Sequence, residues 1–265
     1  MDLSTVKNIN TAKDLGGRYR YLTSQPMIIA ESIMEYDIKS SNTSIARENH
    51  LLPKEKCDYL DSLPKMDREV AIGLIKKDNE EYSKKEKEGL ENAKKQFIEQ
   101  NRIKIDEIIS IKGDALFLKT YGVQNEWVGE YIHFRPKGKY YSYLLLDPIE
   151  IYHDKVNHHL DVKQMNDDTY EIYHSNYMGK FIENILNDME NGTPIRKKFV
   201  TFFDKYKNRE LDVEYYREFN ALSQFRYTDG SVTGETYQEL SDIDISYNMK
   251  ILASFMYNII IKNFD

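Results

Sequence analysis

A change of period at Ile103 constrains this chain more than any other feature. Before it, Leu90, Ala93, Phe97 and Ile98 recur at three- and four-residue steps, the mark of a one-sided helix. After it, IKIDEIISIKGDALFL reads as strand, tight turn at Lys112-Gly113, and strand, with Asp114 at or just after the turn. A helix feeding an antiparallel hairpin predicts an α+β fold. Upstream, Met27 to Ala30 or Ile33 to Ile38 supplies a first strand, and SSNTS leads into a short helix near Ile45 that Ser44 is placed to cap. A helical insertion then spans 45–101, broken at Pro64, and the charged run Lys76 to Lys95 within it reads as a solvated helix face.

Further strands are expected at Trp127 to Phe134, Tyr140 to Leu146, Glu150 to Tyr152 and His159 to Val162. From about Asp168 the pattern turns helical, with a stop at Gly192 and a last helix over Tyr247 to Lys262. The expected organisation is an α+β domain over 1–165 with the insertion 45–101, then a mainly helical region over 166–265.

Of the 265 residues, 37 are Lys or Arg and 44 Asp or Glu, a net charge of −7 that argues against a broadly basic nucleic-acid coat and leaves room for a local basic groove. The single Cys57 closes no internal disulfide, and MDLSTVKN shows no basic segment followed by an apolar one, so a reducing cytoplasm is expected. The apolar stretch Ile251 to Ile261 is too short to span a bilayer and is interrupted by Asn258, so no membrane partner is expected. No Walker A, G-x-G-x-x-G, G-x-S-x-G or C-x-x-C pattern occurs, which removes the commonest nucleotide-hydrolase, dinucleotide, esterase and zinc classes. His153, His158, His159 and His174 lie close together in sequence but lack metal-ligand spacing, and read as surface or turn residues. GGRYRY, whose Arg18 and Arg20 would share one face of a strand, and Asp242-Ile243-Asp244, a helix N-terminal charge placement, read as structural or basic-groove features.

The segments that carry chemistry are two. YDIKSSNTS puts Asp37 at the exit of an apolar strand, and ISIKGDALFL puts Asp114 at a hairpin bend. If their strands adjoin, both carboxylates project at one edge, the layout that phosphoryl transfer needs to hold two divalent ions. Mg²⁺ suits such hard oxygen donors and takes only one or two protein carboxylates beside substrate phosphates.

These segments resemble the palm domain of template-dependent DNA polymerases, in a minimal or degenerate phage-type form. YDIKSSNTS is similar to the first palm motif, D-x-x-S-L-Y-P-S in family B and D-Y-S in family A; ISIKGDALFL is similar to the later hairpin motif, as in D-T-D-S-I-F. The likeness covers roughly residues 27–120. It implies a palm-like antiparallel sheet, Asp37 and Asp114 as catalytic ligands of Mg²⁺ or Mn²⁺, and Ser40 beside the incoming nucleotide. Arg68, Lys76 and Lys77 are then the approximate triphosphate partners. Departures are Lys112 and Ala115 where other families carry further acids, Asn42 in place of a Tyr, and Ile72 where a Lys would follow Arg68.

HFRPKGKYYSY combines cations with aromatics, as nucleic-acid grips do. It resembles the primer-gripping segment of family B and marks Arg135, Lys137, Lys139 and Tyr140 as nucleic-acid contacts; a hairpin tip with an aromatic core face accounts for it equally. The leading expectation is a nucleotidyltransferase acting on a nucleic-acid 3′ end, DNA rather than RNA, together with a nucleotide. The alternative is a catalytically inactive palm-derived module that serves phage replication or meets host proteins. A third is a two-carboxylate nuclease that would draw on Glu35, Asp106 or Glu107.

Overall fold

The protein was analysed as a computed structural model, which describes residues 19–21, 27–29, 32–146, 149–164, 173–174, 176–216, 218–219, 225–226, 249, 252–253 and 255–257. Gly16, Gly17, Arg18, Ala30, Asp242 to Asp244 and most of the expected last helix lie outside the described residues.

In chain order the first half contains β1 (Tyr19–Tyr21), β2 (Met27–Ile28), β3 (Ile33–Ile38), α1 (Ser41–Glu48), α2 (Lys54–Ser62), α3 (Lys65–Asp78) and α4 (Glu80–Gln100). Then come β4 (Ile108–Lys112), β5 (Ala115–Lys119), β6 (Trp127–Val128), β7 (Ile132–Tyr140), β8 (Ser142–Leu146), β9 (Ile149–Asp154) and β10 (His159–Gln164). The remainder holds β11 (Tyr173–His174), α5 (Asn176–Glu190), α6 (Arg196–Lys207), β12 (Glu218–Phe219) and β13 (Phe225–Arg226). Helices and antiparallel sheet together make an α+β fold. The chain divides into two compact units, one of Met1–Ser24 and Ile33–Lys139, the other of Gln25–Ser32 and Tyr140–Asp265.

The first unit is built on a six-stranded sheet ordered β1-β4-β5-β3-β7-β6. Strand alternation sends Tyr36, Ile38, Leu116, Leu118 and Phe134 to one face, where they pack with Ala93, Phe97 and Ile98 of α4. Phe97 is fully buried, stacks on Phe134 at 4.2 Å between centroids and meets Tyr36 at 5.5 Å. The apolar stripe of α4 therefore covers one side of the sheet, and the alternate residues of β3 and β7 turn to the other.

Two expectations are corrected here. Ser44 does not cap α1: the helix begins at Ser41 after Ser40, and the Ser44 hydroxyl donates to the Lys39 carbonyl at 2.8 Å. The charged run is not one solvated face. It is split at Asn79, whose side chain accepts from the Tyr82 amide at 2.9 Å and caps α4, and Lys94 within it is only 2% exposed. Lys94 donates to the Gly113 carbonyl at 3.0 Å and to Glu91 Oε1 at 2.8 Å, so the helix reaches across to fasten the β4–β5 turn.

The second unit carries a four-stranded sheet ordered β10-β9-β8-β2, with a core in which Leu144 and Ile151 meet Ile185 and Leu186 of α5 and Phe199 of α6. β11, β12 and β13 form a separate small sheet. A buried polar cluster between β8, β9 and α5 revises the reading of His153 as a surface histidine: the residue is fully buried, its Nδ1 lies 2.9 Å from Glu190 Oε1, and the Ser142 hydroxyl donates to the same oxygen at 2.6 Å. Burial acts to raise the Glu190 carboxyl, but hydrogen bonds from Ser142, His153 and Lys155 outweigh it and hold it below the ordinary carboxylate range. The cluster fastens α5 to β8 and β9.

Phe97→Ala removes the ring on which Phe134 stacks, and loss of a buried Phe costs about 3–5 kcal/mol. Urea denaturation should show the transition of the variant at a clearly lower midpoint; an unchanged midpoint would contradict this account of the core.

Candidate functional site

Residue Asp37 lies opposite Ala115 in the β3–β5 register, so it stands one position from Asp114 at the turn end of the hairpin. The Ile38 amide donates to the Asp114 carbonyl at 3.4 Å. Gly113 supplies the left-handed backbone that the turn requires, φ 56°, a conformation cheap only for glycine, and the Lys94 ammonium holds its carbonyl. The two acids come from segments joined by the whole helical insertion and adjoin because β3 inserts beside the hairpin.

β7 flanks β3 on its other side. Arg135 and Lys137 alternate onto the face that carries Glu35 and Asp37. Lys137 Nζ lies 3.2 Å from Glu35 Oε1 and 3.5 Å from Asp37 Oδ2, and Arg135 approaches the same Asp37 oxygen at 3.9 Å. The two cations are half-exposed, whereas the Glu35 side chain is 3% exposed and that of Asp37 15%. The Asp37 carboxyl is held above its ordinary range, first by burial, then by the neighbouring Asp114 charge, against which Lys137 pulls it down. For Lys137, burial acts to lower the ammonium, but Glu35 and Asp37 together raise it.

At the exit of β3, Ser40 takes a left-handed backbone, φ 49° and ψ 49°, which costs a non-glycine residue about 1–2 kcal/mol. Its carbonyl accepts from the Ser44 amide and the Thr43 hydroxyl, so α1 starts abruptly behind Asp37. The residues matched to a triphosphate grip are partly engaged elsewhere. Arg68 pairs with Asp61 at 3.6 Å, and Asp61 also accepts from the Thr43 hydroxyl at 2.6 Å. Lys76 pairs with Glu86 at 2.6 Å and donates to Asn42 Oδ1 at 2.9 Å, which brings it to the first turn of α1. Lys77 is exposed on α3.

Lys139 is exposed near the end of β7. Tyr140, read as a nucleic-acid contact, is buried in the second unit instead: its ring meets Tyr152 at 5.2 Å and its hydroxyl donates to Asp161 at 2.8 Å, which leaves no ring face for a base. Of the further acids considered, Glu35 adjoins Asp37, while Glu107 closes the 3-10 turn before β4 by accepting from the Lys104 amide, at the end of that strand away from the hairpin turn. Among the described residues no group of three or more His, Cys, Asp or Glu stands ready to hold a metal ion. None of the described helices is long and apolar enough to cross a membrane.

Sequence reasoning missed Lys94, whose role needs the hairpin folded over α4, and the pairing of Lys137 with Glu35 and Asp37, which needs β7 placed next to β3. A signal for the second was present in the period of two shared by Glu35-Asp37 and Arg135-Lys137.

The fold defines an α+β protein whose first sheet has one face packed under α4 and, on the other, Asp37 paired opposite Ala115, the residue after Asp114. The chain belongs to the Bacteriophage PBS1 gene 130 protein family, whose sequence model matches residues 14–264. It is thus a member of a phage-protein family. Comparison with the curated proteins gives no match.

A carboxyl raised by folding makes the native state hold more protons than the unfolded chain, so its contribution to stability falls as pH rises from the unfolded value of 3.8 through the raised native value. Asp37→Asn removes that cost while Lys137 keeps Glu35. The variant should melt at a higher temperature than the parent at pH 7, and the gap should close below pH 3.8. A parent that is the more stable at pH 7 would show that Asp37 is a net stabilising ion pair.

Proposed function

We propose that this chain is a compact palm-type protein that binds a nucleic-acid 3′ end and a nucleotide, DNA rather than RNA, and acts as a nucleotidyltransferase with Mg²⁺ or Mn²⁺ held by Asp37 and Asp114. One observation carries the reading: Asp37 on β3 stands opposite Ala115, the residue after Asp114, and the Asp114 charge is felt at its carboxyl. The motif resemblance and the membership in a phage-protein family support it.

The donor set fits the ion. Two hard oxygen donors are enough for Mg²⁺, which keeps several waters and completes its shell with substrate phosphates. Burial first, and then the Asp114 charge, raise the Asp37 carboxyl, and a bound cation would favour its ionised form. A bound divalent ion supplies Lewis acidity toward the attacking hydroxyl and the phosphates. The chain's own part is to hold the acids rigid through Gly113 and Lys94, to set α1 behind them at Ser40, and to offer Arg135, Lys137 and Lys139 to phosphates. Lys76 reaches the first turn of α1 directly through Asn42 and Arg68 reaches it through Asp61, so both would have to leave these partners to meet a phosphate.

A second reading is favoured by a specific observation. Lys137 and Arg135 sit on Asp37, and Arg68 and Lys76 are tied to Asp61 and Glu86, an arrangement that also suits a catalytically inactive replication accessory or host-directed protein. The nuclease reading retains Glu35, which shares Lys137 with Asp37, as a further acid. In each case the setting proposed is the host-cell cytoplasm.

Calorimetric titration with Mn²⁺ separates these. The parent should bind, and Asp37→Asn and Asp114→Asn should each weaken binding at least about tenfold, as the loss of one charged ligand implies. Equal isotherms for all three proteins would remove both enzymatic readings. With a 5′-labelled primer, lengthening identifies the transferase and shortening the nuclease, whereas an unchanged label beside normal Mn²⁺ binding identifies the accessory.

A further inference from the structure

We infer that Trp127 is a base-stacking platform for an unpaired nucleotide of a single nucleic-acid strand, whose backbone then follows Arg135 and Lys137 past Asp37. The inference rests on the proposed function for the direction of the strand, and on its own geometry for the platform.

Residue Trp127 is the single tryptophan of the chain and is half exposed. Such a side chain is ordinarily buried, and here it is held in place on the surface. Its indole stacks on the His133 ring at 4.5 Å between centroids and 6° between planes. The two residues are cross-strand partners in β6 and β7, so they share a face of the sheet. Glu126 Oε2 lies 3.2 Å from His133 Nε2 and fixes the tilt of the ring beneath. The backbone of Trp127 is anchored on both sides: its amide donates to Asn125 Oδ1 at 3.0 Å, and its carbonyl accepts from Gln100 Nε2 at 2.9 Å.

These contacts order the indole before any ligand arrives, and preorganised aromatic surface binds at low entropic cost. Alternation along β7 puts Arg135 and Lys137 on the face of His133, each about 6–7 Å beyond the last. The exposed Lys39, whose amide donates to the His133 carbonyl, follows directly on the end of β3. An exposed aromatic plane followed by a row of cations is the arrangement that single strands use, with a ring for the base and charge for the phosphates. Asp37 and Glu35 pair with the cations further along β7, and Glu126 is the carboxylate that touches the stack. Its contact with His133 turns it to the ring and away from any requirement to meet phosphate.

The full chain carries its own reporter. Titration with an oligothymidylate about eight nucleotides long should quench the tryptophan emission, since no other indole contributes. In parallel, the anisotropy of the same oligonucleotide carrying a fluorescein label should report binding, about tenfold weaker or more for Trp127→Ala and within about threefold for Trp127→Phe, which keeps a stacking ring. Circular dichroism matched to the parent confirms that the variants fold. Binding without a change in emission, or equal affinity for Trp127→Ala and the parent, overturns the platform and leaves the metal site standing. Quenching in a protein that shows no Mn²⁺ binding supports the platform and removes both enzymatic readings. No binding of the oligonucleotide at any salt concentration overturns the platform as well.

Discussion

The register that sets Asp37 opposite Ala115 is the constraint on which the site depends. Side chains alternate along a strand with a period of two, so a slip of one residue between β3 and β5 would carry Asp37 into the helix-covered core and Tyr36 out of it. The apolar set Tyr36, Ile38, Leu116, Leu118 and Phe134 forbids that slip, because its members bury against Phe97 and Ile98 only in the observed pairing. Placement of the acids is therefore a by-product of packing on the far side of the sheet. The same holds for β7, where Phe134 goes to the core and its neighbours His133 and Arg135 go to the polar face.

Charge on that face is arranged at a cost. Glu35 and Asp37 are largely removed from solvent, Asp114 adjoins them, and the balancing cations Lys137 and Arg135 come from the neighbouring strand. A structural ion pair would be better placed in fuller contact and without a third acid beside it. Burial and the Asp114 charge both raise the Asp37 carboxyl, and Lys137 offsets them in part. The left-handed Ser40 next to them adds backbone strain at the same spot, and strain that persists in a fold tends to gather where function lies.

What was legible in the sequence follows from the range of the interactions involved. The hairpin could be read because Gly113 and the alternation around it are local, and α4 because its stripe recurs within one helix. Asp37 and Asp114 were visible as ends of apolar strands, and their meeting could be posed as a question of strand order. Lys94 looked like one more charge on a solvated helix, since its burial under the hairpin depends on a contact 19 residues away. Tyr140 looked like a grip residue because its neighbours are basic, but its hydroxyl finds Asp161 on β10, which no local pattern announces. The local sequence around His153 is that of a turn residue for the same reason, its partner Glu190 lying 37 positions on. Trp127 carried no motif at all; only the cross-strand stack on His133 distinguishes it from a stray surface aromatic.

Titration of the Asp37 carboxyl by carbon-detected NMR, in the parent and in Asp114→Asn, tests most directly whether the two acids share one electrostatic site. The parent should titrate above the ordinary aspartate range, and loss of the Asp114 charge should lower the Asp37 value. An Asp37 titration that is the same in both proteins would mean that the carboxyls do not sense each other, and the paired site would have to be abandoned.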